Sequence, residues 1–121
     1  MTDRELLELA AKAVGYDTNH PWNAARMRLQ TPVIGLCIPY VHSCWNPLED
    51  SGHALNLAIS LRLNVRFGDY TVGVNDGSED EYCTAFAIEE LEPDNGAATR
   101  RAIVCAAAKL WNGQRLDRSE E

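Results

Sequence analysis

His42 and Cys44 are the residues of this 121-residue chain whose spacing comes closest to chemistry. Two positions apart on an extended segment, an imidazole and a thiol share a face, and a histidine so placed can activate a cysteine nucleophile. Turnover would also require a carboxylate delivered to them by the fold. With Cys37 on the same stretch, three zinc ligands are on offer, but the spacing fits no structural zinc pattern and no fourth ligand stands nearby. The chain has no C-x-x-C pair. Cys83, in a strand-like apolar segment, and Cys105, among alanines, read as reduced thiols acting as small hydrophobes. His20, His42 and His53 stand apart in the sequence. A phosphate-cradling glycine loop, a G-x-S-x-G elbow and an H-E-x-x-H helix are all missing. Asn75 to Glu81 is rich in carboxylates but lacks the alternation of a calcium loop. The expectation is a protein with no catalytic residue, no metal and no cofactor.

Charge separates the chain into unlike parts. Eighteen acids against eleven Lys and Arg give a net charge of −7. Nine of the acids fall between Asp69 and Asp94, a stretch without one Lys or Arg. Such a field repels phosphate backbones, so direct nucleic-acid binding is not expected. The plain reading is a solvated hairpin edge kept soluble by like charges. The sharper one is a surface, with Glu79, Asp80 and Glu81 at its centre, that binds a basic protein partner or imitates nucleic acid. Arg26 and Arg28, Arg62 and Arg66, and Arg100 and Arg101 form only weak basic clusters. None is interleaved with aromatics along the sequence as a single-strand binding surface would be.

Trp45-Asn46-Pro47-Leu48-Glu49-Asp50 carries the strongest local signal. Proline pushes the preceding Asn46 out of the helical region, and Pro47 fixes the turn. The Asn46 side chain can bond a backbone N–H two or three residues on, and Glu49 and Asp50 suit the positive end of a following helix. Trp45, beside a fixed turn, should pack into the core with its indole N–H satisfied. The favoured reading is a locked helix entry. Read instead as a ligand or partner site, the stretch contributes Trp45, Asn46, Asp50 and the nearby His42, alongside Glu79, Asp80 and Glu81.

The elements that would position these residues follow from periodicity. Thr2 caps a helix whose face is Leu6, Leu9, Ala10 and Ala13, and Gly15 stops it. Asp17 to Pro21 is turn chemistry, Arg26 to Leu29 alternates as a strand does, and a short helix from Trp22 to Leu29 fits almost as well. Val33 to Ile38 is an apolar run of strand length ended by Pro39. The second helix starts near Asp50 or Ser51 and reaches about Leu61, burying Ala54, Leu57, Ala58 and Leu61. Leu63 to Phe67 and Tyr70 to Val74 form a hairpin around Gly68-Asp69. Glu81 to Ile88 adds a strand with Tyr82, Thr84, Phe86 and Ile88 on one face. A last helix runs from Asp94 or Asn95 to about Trp111, and residues 112–121 should fray. This predicts one α+β domain over residues 1–121, with about four mainly antiparallel strands in a sheet covered by three helices.

The stretch from Trp45 to Ala58 resembles the W-N-P-L-x-D-x-G-x-A-L-x-L-A pattern of small phage and prophage proteins. Those are the phage α-β-α sandwich domain family and, more loosely, the NinX-like proteins. The opening Asp3 to Ala13 and the closing Ala97 to Val104 also look like the ends of such proteins. Ser51 and His53 stand where that family often has acids. The resemblance implies phage origin and an α-β-α sandwich, and it brings no activity or catalytic residue. The charged amino terminus and the lack of any long apolar run lead to an expectation of a cytoplasmic protein with no membrane contact. The leading functional expectation is a non-enzymatic accessory protein that binds a host or phage macromolecule. The alternative is a counter-defence protein that sequesters a nucleotide-like signal near Trp45, using arginines from Arg26, Arg28, Arg62 or Arg66.

Overall fold

Thr2 opens the first element as expected: its hydroxyl accepts the Glu5 N–H at 3.2 Å, and α1 runs Asp3–Val14. Gly15, at φ 90°, closes it, with the Gly15 and Tyr16 N–H groups donating to Lys12 and Ala11 carbonyls. The computed structural model describes residues 1–75, 87–90 and 95–120. The elements that follow are α2 (Pro21–Met27), β1 (Leu36–Ile38), β2 (His42–Trp45), α3 (Ser51–Leu61), β3 (Asn64–Phe67), β4 (Thr71–Asn75), β5 (Ala87–Glu90) and α4 (Asn95–Glu120).

The class is α+β with antiparallel pairing, but the expected single sheet of about four strands under three helices is replaced, among the described residues, by four helices and two sheets. β1 and β2 form a hairpin of their own, and β3, β4 and β5 form a separate meander in that order. Two local causes account for the difference. His20 accepts the Trp22 N–H at 3.1 Å through Nδ1 and caps a helix whose first residue is Pro21, so the ambiguous stretch becomes α2. Val33, Ile34 and Gly35, read as strand, turn their carbonyls to the guanidinium of Arg4 instead. Only Leu36–Ile38 remains to pair with β2.

Arg4 and Asn23 are the buried polar or charged residues among those described, and they tie these pieces together. Arg4 also donates to the Asn23 carbonyl at 2.7 Å. The Asn23 side chain accepts the Cys37 N–H at 2.6 Å and donates to the Cys37 carbonyl at 3.1 Å, as a neighbouring strand would. Burial depresses the Arg4 guanidinium, Glu8 works against that, and Arg26 adds to it.

One apolar cluster joins everything else. Leu6, Leu7, Ala10 and Ala11 of α1 meet Leu57 and Ala58 of α3, Val72 and Val74 of β4, and Ala102 to Ala108 of α4. The alanines let α4 lie close against α1, α3, β4 and β5. α3 buries Ala54, Leu57 and Ala58 as expected, leaves Leu61 only half-buried at its end, and closes with Arg62 in the left-handed region at φ 55°. α4 continues through the tail expected to fray, to Glu120. The strand expected over Glu81 to Ile88 falls mostly outside the described residues, with β5 at its end. No helix among the described residues is long and apolar enough to cross a membrane.

Candidate functional site

Trp45 is inside the protein, at 2% exposure, with the Tyr16 ring edge-on at 5.6 Å. The turn it leads into consumes its own polar groups. Asn46 Oδ1 accepts the Leu48 N–H at 3.1 Å, and the Asn46 carbonyl accepts the Asp50 N–H at 2.8 Å. Asp50 Oδ1 accepts the His53 N–H at 2.9 Å as the N-cap of α3. That N–H is the main cause holding the Asp50 carboxyl below its ordinary range; desolvation opposes it, and the His53 imidazole, the Gly52 N–H and the His42 imidazole add to it. His53 returns the bond by accepting the Asn46 N–H at its Nδ1, 3.0 Å away. Neutral His53 therefore carries its proton on Nε2. Arg100 of α4 completes the lock, donating to the Leu48 carbonyl at 2.9 Å and the Ser51 hydroxyl at 3.0 Å.

The fold does bring His42, Asn46 and Asp50 to one neighbourhood, with His42 stacked at a tilt on His53 at 4.4 Å between centroids. Asp50 is occupied as a cap and His53 Nδ1 as an acceptor. Among the described residues no three His, Cys, Asp or Glu side chains stand together as metal ligands. The Cys44 thiol lies over Gly35, where an added Cβ would meet Sγ at 2.5 Å. Glu79, Asp80 and Glu81 lie outside the described residues, as does most of the acidic stretch.

Chemistry of another kind collects at the end formed by α2 and the β1–β2 hairpin. Residues 18–48 contain no Asp or Glu. Tyr40 is fully exposed at the hairpin tip with Val41 exposed next to it, and Trp22 of α2 is 54% exposed. The Val41 N–H donates to the Ile38 carbonyl at 3.0 Å, closing a turn with Pro39 second and Tyr40 third at φ 66°. Glycine or asparagine normally fills that left-handed position. A tyrosine there carries strain of about 1–2 kcal/mol. Arg26 lies over the Trp22 ring at 5.9 Å and donates to the Gly35 and Ser43 carbonyls at 3.0 and 2.6 Å, while the His20 ring meets Trp22 edge-on. A cleft of about 500 Å³ opens between His20, Cys37, Ile38, Tyr40, Val41 and His42.

This surface is missing from the sequence reading, although two signals for it were present: the run of 31 acid-free residues and an aromatic directly after a turn proline. No protein-family model, curated protein or solved structure matches the chain.

Proposed function

We propose that this protein is a non-enzymatic binding protein that grips a macromolecular partner, a protein with acidic and apolar surface, through the α2–hairpin end. The observation that carries the reading is Tyr40, wholly exposed and held at a backbone angle that costs stability. Strain kept at an exposed position points to a contact made elsewhere. Trp22, half-exposed on α2, adds the kind of aromatic anchor that dominates interfaces, and Arg26 and Arg28 add positive charge in a stretch of sequence free of acid. The Trp45 turn supports the same reading from the other side, because its polar groups serve the scaffold. A phage accessory role, suggested by the Trp45–Ala58 pattern, belongs to this proposal. The stretch from Asp69 to Asp94 contributes a field that disfavours nucleic acid and attracts basic surfaces.

Affinity capture from lysate at low and high salt tests it. Wild-type protein should retain a partner that high salt releases, and Trp22→Ala with Tyr40→Asn should retain none. Equal capture by both proteins would contradict the reading.

The cleft beside Tyr40 favours a second reading, sequestration of an anionic aromatic ligand of nucleotide type. His20 and His42 line that cleft, and Trp22 and Arg26 flank it. A rise in melting temperature with one nucleotide of a panel, lost in Tyr40→Asn, would favour it over the first.

A further inference from the structure

Cys37 and Cys44 sit on opposite arms of the β1–β2 hairpin, the first buried and the second exposed, and both are free thiols. Leu36 pairs with Trp45 and Ile38 with His42. One residue of β1, Cys37, therefore faces two of β2, Ser43 and Cys44, across a bulge. Leu36, Ile38 and Trp45 all enter the apolar cluster, so alternation turns Cys37 and Cys44 to the other side of the hairpin. Gly35, two residues before Cys37, has the Cys44 Sγ over it on that side, 2.5 Å from where a Cβ would stand. The missing side chain is what leaves room for the sulfur.

Both arms are held in place around the thiols. Cys37 gives its N–H and its carbonyl to the Asn23 side chain, away from β2, so it occupies a non-hydrogen-bonded position of the ladder. Opposed Cα atoms come closest at such positions, about 4.5 Å apart against about 5.5 Å at bonded pairs. A disulfide bridges Cα atoms about 4.4–6.8 Å apart, a window with room for the extra residue of the bulge. Arg26 fastens the two arms by donating to the Gly35 and Ser43 carbonyls at 3.0 and 2.6 Å. Joining the sulfurs then asks for side-chain rotation and no new strand position.

We propose that Cys37 and Cys44 are a redox pair, closed into a cross-strand disulfide by a low-molecular-weight disulfide such as oxidised glutathione. Cys44 reacts first, because Cys37 is only 6% exposed and closed to an external oxidant. The Cys44 thiol loses its proton and attacks one glutathione sulfur, breaking that S–S bond; the departing glutathione thiolate takes up a proton. Cys37 then loses its proton and attacks the Cys44 sulfur of the mixed disulfide, and the second glutathione leaves as a thiol. Two protein thiols are oxidised to one disulfide while one glutathione disulfide is reduced to two thiols. The ring so closed spans residues 37–44 and carries Tyr40. Oxidation ties the arms of the loop behind Tyr40, and reduction frees them.

The test equilibrates the folded full chain with oxidised glutathione, quenches it in acid, alkylates the remaining thiols and cuts with chymotrypsin, which cleaves after Tyr40 between the two cysteines. Wild type should yield two fragments that stay joined until reductant is added. Its melting temperature before digestion should rise by about 5 °C or more over the reduced protein. Cys44→Ser, a small change at an exposed position, should show neither effect, and Cys105→Ser should show both. A glutathione adduct that stays on Cys44 without closing would overturn the proposal. So would a link from Cys44 to another cysteine, or a 37–44 link that forms only in denaturant. None of these outcomes decides whether Tyr40 captures a partner.

Discussion

At the scale of single residues, the structure assigns the chain's polar groups to unlike tasks. Asp50 and Asn46 hold the backbone, and Tyr40 is held by it. Replacing Tyr40 with asparagine, which tolerates the left-handed region, should raise stability by about 0.5–1 kcal/mol in chemical denaturation. A loss of stability would show that the tyrosine packs against its own molecule. Arg4 has the opposite character. Arg4→Met leaves the carbonyls of Asn23, Val33 and Ile34 without this donor, while Gly35 keeps Arg26, and two unsatisfied carbonyls among them cost about 2–4 kcal/mol. The denaturation midpoint should fall accordingly. Asp50 gives a pH signature. Its folded-state carboxyl titrates below the unfolded one, so its contribution is complete above the ordinary carboxylate range and vanishes as pH falls through the lowered value. Asp50→Ala should therefore melt below wild type at neutral pH, and the two should converge in strong acid.

Elements were legible in the sequence wherever caps and periodicity agreed. Thr2, Gly15 and Asp50 marked the ends of α1 and the start of α3 because each supplies a bond or angle that few other residues can. The hairpin β3–β4 was legible from alternation around Gly68-Asp69. The first sheet was not, because its shape depends on long-range bonds. Nothing near Val33 in the sequence announces an arginine 29 residues earlier as its partner. Asn23, which seals the edge of β1, was hidden for the same reason. In the candidate site, the sequence identified the Trp45 turn as scaffold, but the placing of Trp22 at the same end as the hairpin depends on the fold of α2. The turn yields a test at this scale. Trp45→Phe removes part of a buried ring system that packs on Tyr16 and should cost about 1–2 kcal/mol, with partner capture by the folded protein unchanged. Capture lost without loss of stability would make Trp45 part of the contact.

The molecule as a whole is held by one core, from which α1 and α4 carry most of the small residues and the two sheets carry the exposed edges and tips. Its charge is uneven in the same sense: the hairpin end and the α3–β3 face are free of acid, while the net charge of −7 sits elsewhere. On the proposed reading, the hairpin end is the face that meets an acidic partner. The central claim is that the Tyr40–Trp22 surface is retained for contact at a cost in stability. It is tested most directly by titrating the purified captured partner into wild type and Tyr40→Asn while recording the melting temperature of each. The account predicts a variant that melts higher and binds at least about tenfold more weakly, a loss typical of an interface anchor. A variant that melts higher and binds as tightly as wild type would contradict it.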